Sequence, residues 1–210
     1  DFTALSVYVS GIQNRASDNR CQRMLECAYD EAGNVDWAVG HLNAWREAYR
    51  GFGAKPKKTP CSAEALIKRA NKGQEPPTIN AVVDLYNAIS IRYAVPVGGE
   101  DAASYHGSPN LVVTSGGEVF DTMSDGVAIS ETLEAGEVVW RDNLGVTCRR
   151  WNWRQGVRTR IETESTDMWF VFERLDPMPI EALLKAGQEL VGGLLRLESA
   201  PKKIDQRLFN

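Results

Sequence analysis

The chain of 210 residues lacks most of the equipment that common enzymes carry. It has no Walker A run, no HExxH and no GxSxG. With only two histidines, His41 and His106, it offers little to a Ser-His-Asp hydrolase. Its four cysteines, Cys21, Cys27, Cys61 and Cys148, form no CxxC pair and have no histidine at zinc-ligand spacing, so no metal and no other cofactor is expected. No apolar run reaches the roughly 18–20 residues of a membrane span, and the first residues lack the charged start and apolar core of a signal peptide. A soluble, cytoplasmic protein without a membrane partner is the expectation. There is no internal repeat and no low-complexity tract, and the length suits a single domain over residues 1–210.

A strong excess of either charge is also missing: 24 basic against 28 acidic side chains give a net charge of −4. A protein that wraps nucleic acid wholesale runs basic, so any contact with a polyanion must be local. Two local patches exist. Residues 141–160 hold six arginines and one acid, Asp142, and the stretch from Arg46 to Lys58 sets Arg46, Arg50, Lys55, Lys57 and Lys58 against Glu47.

Residues 1–95 read mainly as helix. In "HLNAWREAYRGFG" the side chains of Leu42, Trp45, Tyr49 and Phe52 fall on one helical face, and Gly51 and Gly53 suit the turn that closes it. Ser62 is placed to cap a second helix ending near Lys68, Arg69 and Gly73. Thr78 is placed to cap a third, in which Ile79, Val82, Val83, Tyr86 and Ile89 follow helical spacing until Pro96. That helix is expected to be buried.

From residue 96 to 176 the period changes to two. The runs 111–114, 137–141, 145–150, 157–163 and 168–173 are expected as strands separated by Gly, Asp and Asn turns. "VRTRIET" alternates as a strand with one covered face does, and "MWFVF", apolar throughout, is expected at the centre of a sheet. A closing helix over about 180–198 packs on that sheet. Helices segregated from a block of strands make the fold class α+β, with central, mostly antiparallel sheets and flanking helices in three layers.

Three stretches carry candidate chemistry. His41 begins a helix as a surface or capping residue, and His106 lies in a loop. "PVGGED" is either a pocket wall, where Gly98 and Gly99 let a guest approach Glu100 and Asp101, or a tight connection with Asp101 capping a turn. "CRRWNWRQG" is either a hairpin with arginines stacked on tryptophan or a nucleic-acid surface.

The order of these stretches resembles a known family. "WREAYRGFG", "KPKKTPCSAEALIKRA", "INAVVDLYNAISIRYAVPVGGEDAASYHG" and "GEVVWRDNLGVTCRRWNWRQ" are similar to free-standing relatives of the tRNA-editing module of the phenylalanyl-tRNA synthetase β subunit. The similarity runs from Trp45 to Asp176. Asn80, Val83, Asp84 and Asn87 match one segment of the synthetase module, and Phe170-Val171-Phe172-Glu173 its later strand.

The resemblance implies that Glu173 lines an editing pocket, with the segment of Asn87 matched to the same module, and that the "CRRWNWRQG" loop flanks that pocket; Glu100 and Asp101 stay secondary candidates from the "PVGGED" stretch. It implies hydrolysis of the ester between a wrong amino acid and tRNA as the activity, and a mischarged aminoacyl-tRNA as the partner. Backbone N–H groups of Gly98 and Gly99 are the expected oxyanion donors, and Arg149, Arg150 and Arg154 the expected phosphate contacts. Trp151 and Trp153 stack on a base or pack in the core. The family places a histidine where this chain has Gly98, which enlarges the pocket and removes an imidazole. A binding module that has lost catalysis, and a purely interacting protein, are the alternatives.

Overall fold

The computed structural model describes residues 1–124, 126–197 and 201–210. The apolar run of strand β9 (Met168–Leu175) sets the architecture. Its neighbours are β1 (Phe2–Ser10) and β2 (Val97–Asp101), both antiparallel, and β10 (Lys203–Phe209) pairs with the far side of β1. Met168, Phe170 and Phe172 point to one side with Leu5, Val7 and Val9, into the main core beneath helices α4 (Ala81–Tyr93) and α5 (Ile180–Leu194). Trp169, Val171 and Glu173 point to the other side. Both faces of β9 are covered, which is why its sequence does not alternate.

The opposite face looks toward a second sheet of β3 (Asn110–Val113), β6 (Val138–Arg141), β7 (Val146–Arg149), β4 (Val119–Ser124) and β5 (Val127–Thr132), in that order. The short β8 (Arg154–Gln155) pairs with β7. Helices, first sheet and second sheet form the three layers of an α+β fold. Helices α1 (Asn19–Asp30), α2 (Ala38–Gly51) and α3 (Ser62–Asn71) gather at one end around Trp45 and Tyr49. Helix α4 is apolar almost all round because Val82, Leu85 and Ile89 serve the main core while Ala88 and Ile91 serve this one.

Several expectations are corrected. The first 95 residues are not only helical, because β1 opens the chain as an inner strand. Residues 157–163 form no ladder: Val157 N bonds Asp121 O, Thr159 O accepts from Asp101 N, and Ile161 O accepts from Asn80 Nδ2, so scattered partners satisfy an extended crossing segment. Its alternation is real, with Thr159 and Ile161 buried, but it reports extended backbone rather than pairing. Asn80, not Thr78, caps α4. Its Oδ1 accepts from Val83 N at 3.0 Å, and Ile79 is exposed. Cys61 stands at the N-cap of α3, and Ser62 is the first helical residue with its hydroxyl unpaired. Helix α5 ends at Leu194, capped at Leu195, short of the expected 198; residues 195–197 form a turn and bend, and Glu198 itself lies outside the described residues.

His41 is also not at the surface. It is fully buried, with Nδ1 2.8 Å from Ala94 O and Nε2 3.1 Å from both Trp45 Nε1 and Leu175 N. A carbonyl needs a donor and two N–H groups need an acceptor, so the ring is neutral with its proton on Nδ1. Burial lowers its pKa to about 4, against the opposing pull of Ala94 O.

Candidate functional site

The register of β2 on β9 places Gly98 opposite Val171 and Glu100 opposite Trp169, so Gly98 and Glu100 share the face that carries Trp169, Val171 and Glu173. That face forms one wall of a cavity of about 170 Å3. Tyr86 and Asn87 of α4 and Ser62 of α3 contribute from the helical side. The second sheet closes it with Trp140, Cys148 and the loop Trp151–Gln155. Four of the six tryptophans of the chain line this space.

The loop between β7 and β8 is held in a costly shape. Arg150 and Trp151 have φ of 46° and 66°, in the left-handed region that side chains disfavour by roughly 1–2 kcal/mol per residue. The turn is pinned by Trp151 N donating to Val138 O and by the Trp151 ring, edge-on to Trp45 at 5.1 Å and Phe2 at 5.2 Å. The result is to aim Asn152 inward. Its Nδ2 donates to Glu173 Oε2 at 2.8 Å, and its Oδ1 accepts from Tyr49 OH at 2.9 Å.

Glu173 is only 1% exposed, with no cation among its hydrogen-bond partners. Trp140 Nε1 donates to its Oε1 at 2.9 Å. Burial pushes its carboxyl up to about 7; the donors Asn152 and Trp140, and more weakly the Trp151 N–H, oppose the rise. Glu100 stands on the same face, about 14 Å along the strands by residue count. It accepts a hydrogen bond from Tyr105 OH, and burial pushes it up to about 8, against the hydroxyls of Thr147 and Thr159 and the charge of Arg158.

Seven of the ten residues expected at a site meet here: Glu173, Gly98, Glu100, Asn87, Trp151, Trp153 and Arg154 line the cavity. Gly99, Arg149 and Arg150 do not. Gly99 faces the core, where an added Cβ would sit 2.7 Å from Tyr86 Cε1. The expected oxyanion role of Gly98 N–H is not available. Glu173 N donates to Pro96 O, which makes Gly98 and Val171 a hydrogen-bonded pair, so that N–H is spent in the ladder.

The arginines are likewise engaged. Arg149 is bidentate to Glu137 at 2.9 and 2.8 Å and also bonds Glu131. Arg158 is bidentate to Asp142. Arg150 lies 4.6 Å over the Trp153 ring, and Arg154 NH2 donates to Met123 O at 2.7 Å. Both tryptophans pack against the helical core and line the cavity, and Trp153 in addition carries the stacked guanidinium groups of Arg150 and Arg154.

Sequence reasoning missed Asn152, Trp140, Tyr49 and Ser62. Only the position of Asn152 between two tryptophans hinted at it. The Ser62 hydroxyl is a buried atom without a hydrogen-bond partner among the described residues, and Trp151 Nε1, also buried, falls short of a full hydrogen bond while leaning weakly on Glu173; both belong to residues lining the cavity. Cys148 also lines it, but burial and the charges of Glu100 and Glu173 hold its thiol well above the ordinary value, and neither histidine lines the cavity. A thiolate–imidazole pair is therefore not assembled. No cluster of His, Cys, Asp and Glu suited to a metal ion exists among the described residues.

No curated protein matches the chain. The family model for the B3/4 domain matches residues 44–186, from within α2 through both sheets into α5. The chain therefore belongs to the B3/4 domain family, the domain found in the phenylalanyl-tRNA synthetase β subunit.

Proposed function

We propose that the cavity receives the aminoacyl end of a mischarged tRNA and hydrolyses its ester. One observation carries this reading. A buried hydroxyl without a partner, Ser62 Oγ, and a buried indole N–H, Trp151 Nε1, that makes no full hydrogen bond and is only weakly drawn to Glu173, belong to the lining of an amino-acid-sized cavity that also holds the buried carboxyl of Glu173. Buried polar groups are rarely left unpaired, and a guest, a reaction or an ordered water is what such a group is open to. Space of about 170 Å3 is near that of a cavity known to admit a benzene ring.

In this scheme Glu173 anchors the ammonium or a hydroxyl of the amino acid, and the indole faces favour a cation beside it. Water adds to the ester carbonyl carbon, and negative charge moves to the carbonyl oxygen. The Ser62 hydroxyl and the Trp151 N–H stabilise that charge in place of Gly98. The bond to the ribose oxygen then breaks, and the proton released by the water ends on the ribose hydroxyl. An ester is reactive enough for positioning and charge stabilisation to suffice. Asn87, whose side-chain amide bonds no other described residue, is available to orient the guest.

The test is deacylation of tRNAs charged with a panel of wrong amino acids. Acceleration with at least one pair is expected, and no acceleration with any pair would defeat the proposal. A second reading, a module that binds the aminoacyl end without cleaving it, is favoured by Gly98 standing where the synthetase pattern has a histidine. Protection of the ester from spontaneous hydrolysis would be its signature.

A further inference from the structure

A second concentration of positive charge lies outside the arginine cluster. Residues 46–72 contain eight basic and two acidic side chains, in a chain whose totals are 24 and 28. Both acids are already engaged. Glu64 is held by Arg46 and Lys68, and Glu47 by Arg50. Lys55, Lys57 and Lys58 are exposed and have no acidic partner among the described residues.

These lysines stand on a loop with a defined shape. Lys55 O accepts from Lys58 N at 2.8 Å, Thr59 N at 2.9 Å and Thr59 Oγ1 at 3.2 Å, and Pro56 is buried beneath it. Lys55 and Lys58 form one bank of a groove of about 520 Å3. The turn 132–137 forms the other bank, with Glu134 on it and with Glu137 neutralised by Arg149. Arg150 also lines the groove, and its guanidinium covers the Trp153 ring that lines the cavity. One aromatic side chain thus separates the groove from the cavity.

We infer that this groove carries the phosphate backbone of a single-stranded RNA end, held by Lys55 and Lys58 on its bank and by Lys57 beside it on the same exposed loop, rather than by Arg149. This rests on the aminoacyl-end reading of the cavity. Lysine ammonium groups act as point charges on a backbone and read no base, so the contact is insensitive to sequence and sensitive to salt. A groove bordered by cations also raises the local concentration of a polyanion around an otherwise acidic protein.

The experiment measures binding of uncharged tRNA across a salt series, so its outcome does not depend on whether the cavity hydrolyses anything. The triple variant Lys55→Ala, Lys57→Ala, Lys58→Ala is expected to lose about tenfold or more in affinity at low salt. Its slope of log K against log salt should be shallower by about 2–3, roughly one for each phosphate that a lysine no longer neutralises. The substituted side chains are exposed, so the thermal midpoint should match the wild type within about 2 °C. Wild-type affinity and slope in the triple variant would overturn the inference, as would an Arg149→Gln variant that, still folded, loses the same binding. Equal competition by polyglutamate or by anionic lipid vesicles would overturn the choice of RNA. If tRNA binds through the lysines while no charged tRNA is deacylated, the groove stands and the hydrolytic reading falls.

Discussion

Trp140 of β6 donates its indole N–H to Glu173 of β9 at 2.9 Å, and with Gln155 Nε2 of β8 donating to Gly99 O of β2 at 2.7 Å this bond ties the second sheet to the first across the cavity. The ring of Trp140 also meets Trp169 edge-on at 5.2 Å. The carboxylate that we place in contact with substrate is therefore also a fastening between layers. Its protonation affects both.

In the unfolded chain Glu173 and Glu100 ionise near 4.5, and in the folded protein near 7 and 8. A carboxyl with a raised folded pKa contributes stability that is present below 4.5 and lost as pH rises through the folded value. Chemical denaturation from pH 5 to 8 should show wild type weakening more steeply than Glu173→Gln. The variant should also lose the rise in kcat/KM through about pH 7 that ionisation of the anchor imposes. Parallel stability curves would show that Glu173 is charged in the folded state throughout.

His41 has the opposite sign. Its folded pKa, about 4, lies below the unfolded 6.5, so its contribution is complete above pH 6.5 and is lost as pH falls toward 4. The stability difference between wild type and His41→Gln should narrow over that window. His41→Ala, which strands Ala94 O and the N–H groups of Trp45 and Leu175, should cost ~3 kcal/mol at neutral pH. Thermal unfolding of the variants at pH 7 and pH 5 checks both.

Adjacent glycines should respond differently to the same substitution. In Gly99→Ala the new methyl would lie 2.7 Å from Tyr86 Cε1 and 3.0 Å from Phe170 Cδ1, an overpacking that costs about 1–3 kcal/mol. In Gly98→Ala it would meet only Val171 Cγ1, at 3.4 Å, and project on the cavity face. Stability should change little there and turnover or guest preference should change instead. Two melting curves and one substrate panel separate the sites.

Ser62→Ala removes a buried hydroxyl that has no partner. A purely structural serine of this kind costs stability, so the variant should melt at the same temperature or higher. If the hydroxyl meets the ester oxygen, deacylation should fall by about a hundredfold. Unchanged deacylation would remove Ser62 from the reaction and leave Trp151 as the remaining donor.

Local pattern determined much of this molecule. The 3.6 period around Trp45 and Tyr49, the buried helix from Val82 to Ile89 and the uninterrupted apolar run at 168–172 are each dictated by neighbours within a few residues, and all three elements form where expected. Caps shifted by one or two positions because Asn80 and Thr78 offer similar chemistry and only the Ile161 carbonyl chooses between them. The resemblance brought Glu173 to attention, and the register of β2 against β9 set Gly98 and Glu100 on the same face.

What tertiary structure alone decided is the state of the charges. A row of arginines reads as a cationic rim, but Glu131 and Glu137, more than ten residues upstream, fold back to neutralise Arg149. The lysines at 55–58 also read as a basic patch in sequence, and they are the ones left without an acidic partner among the described residues. Asn152 acquires its role from Tyr49 and Glu173, 103 and 21 residues away. Hydrophobic periodicity is a property of neighbours along the chain, whereas electrostatic pairing is a property of neighbours in space, and only the packed layers supply the second.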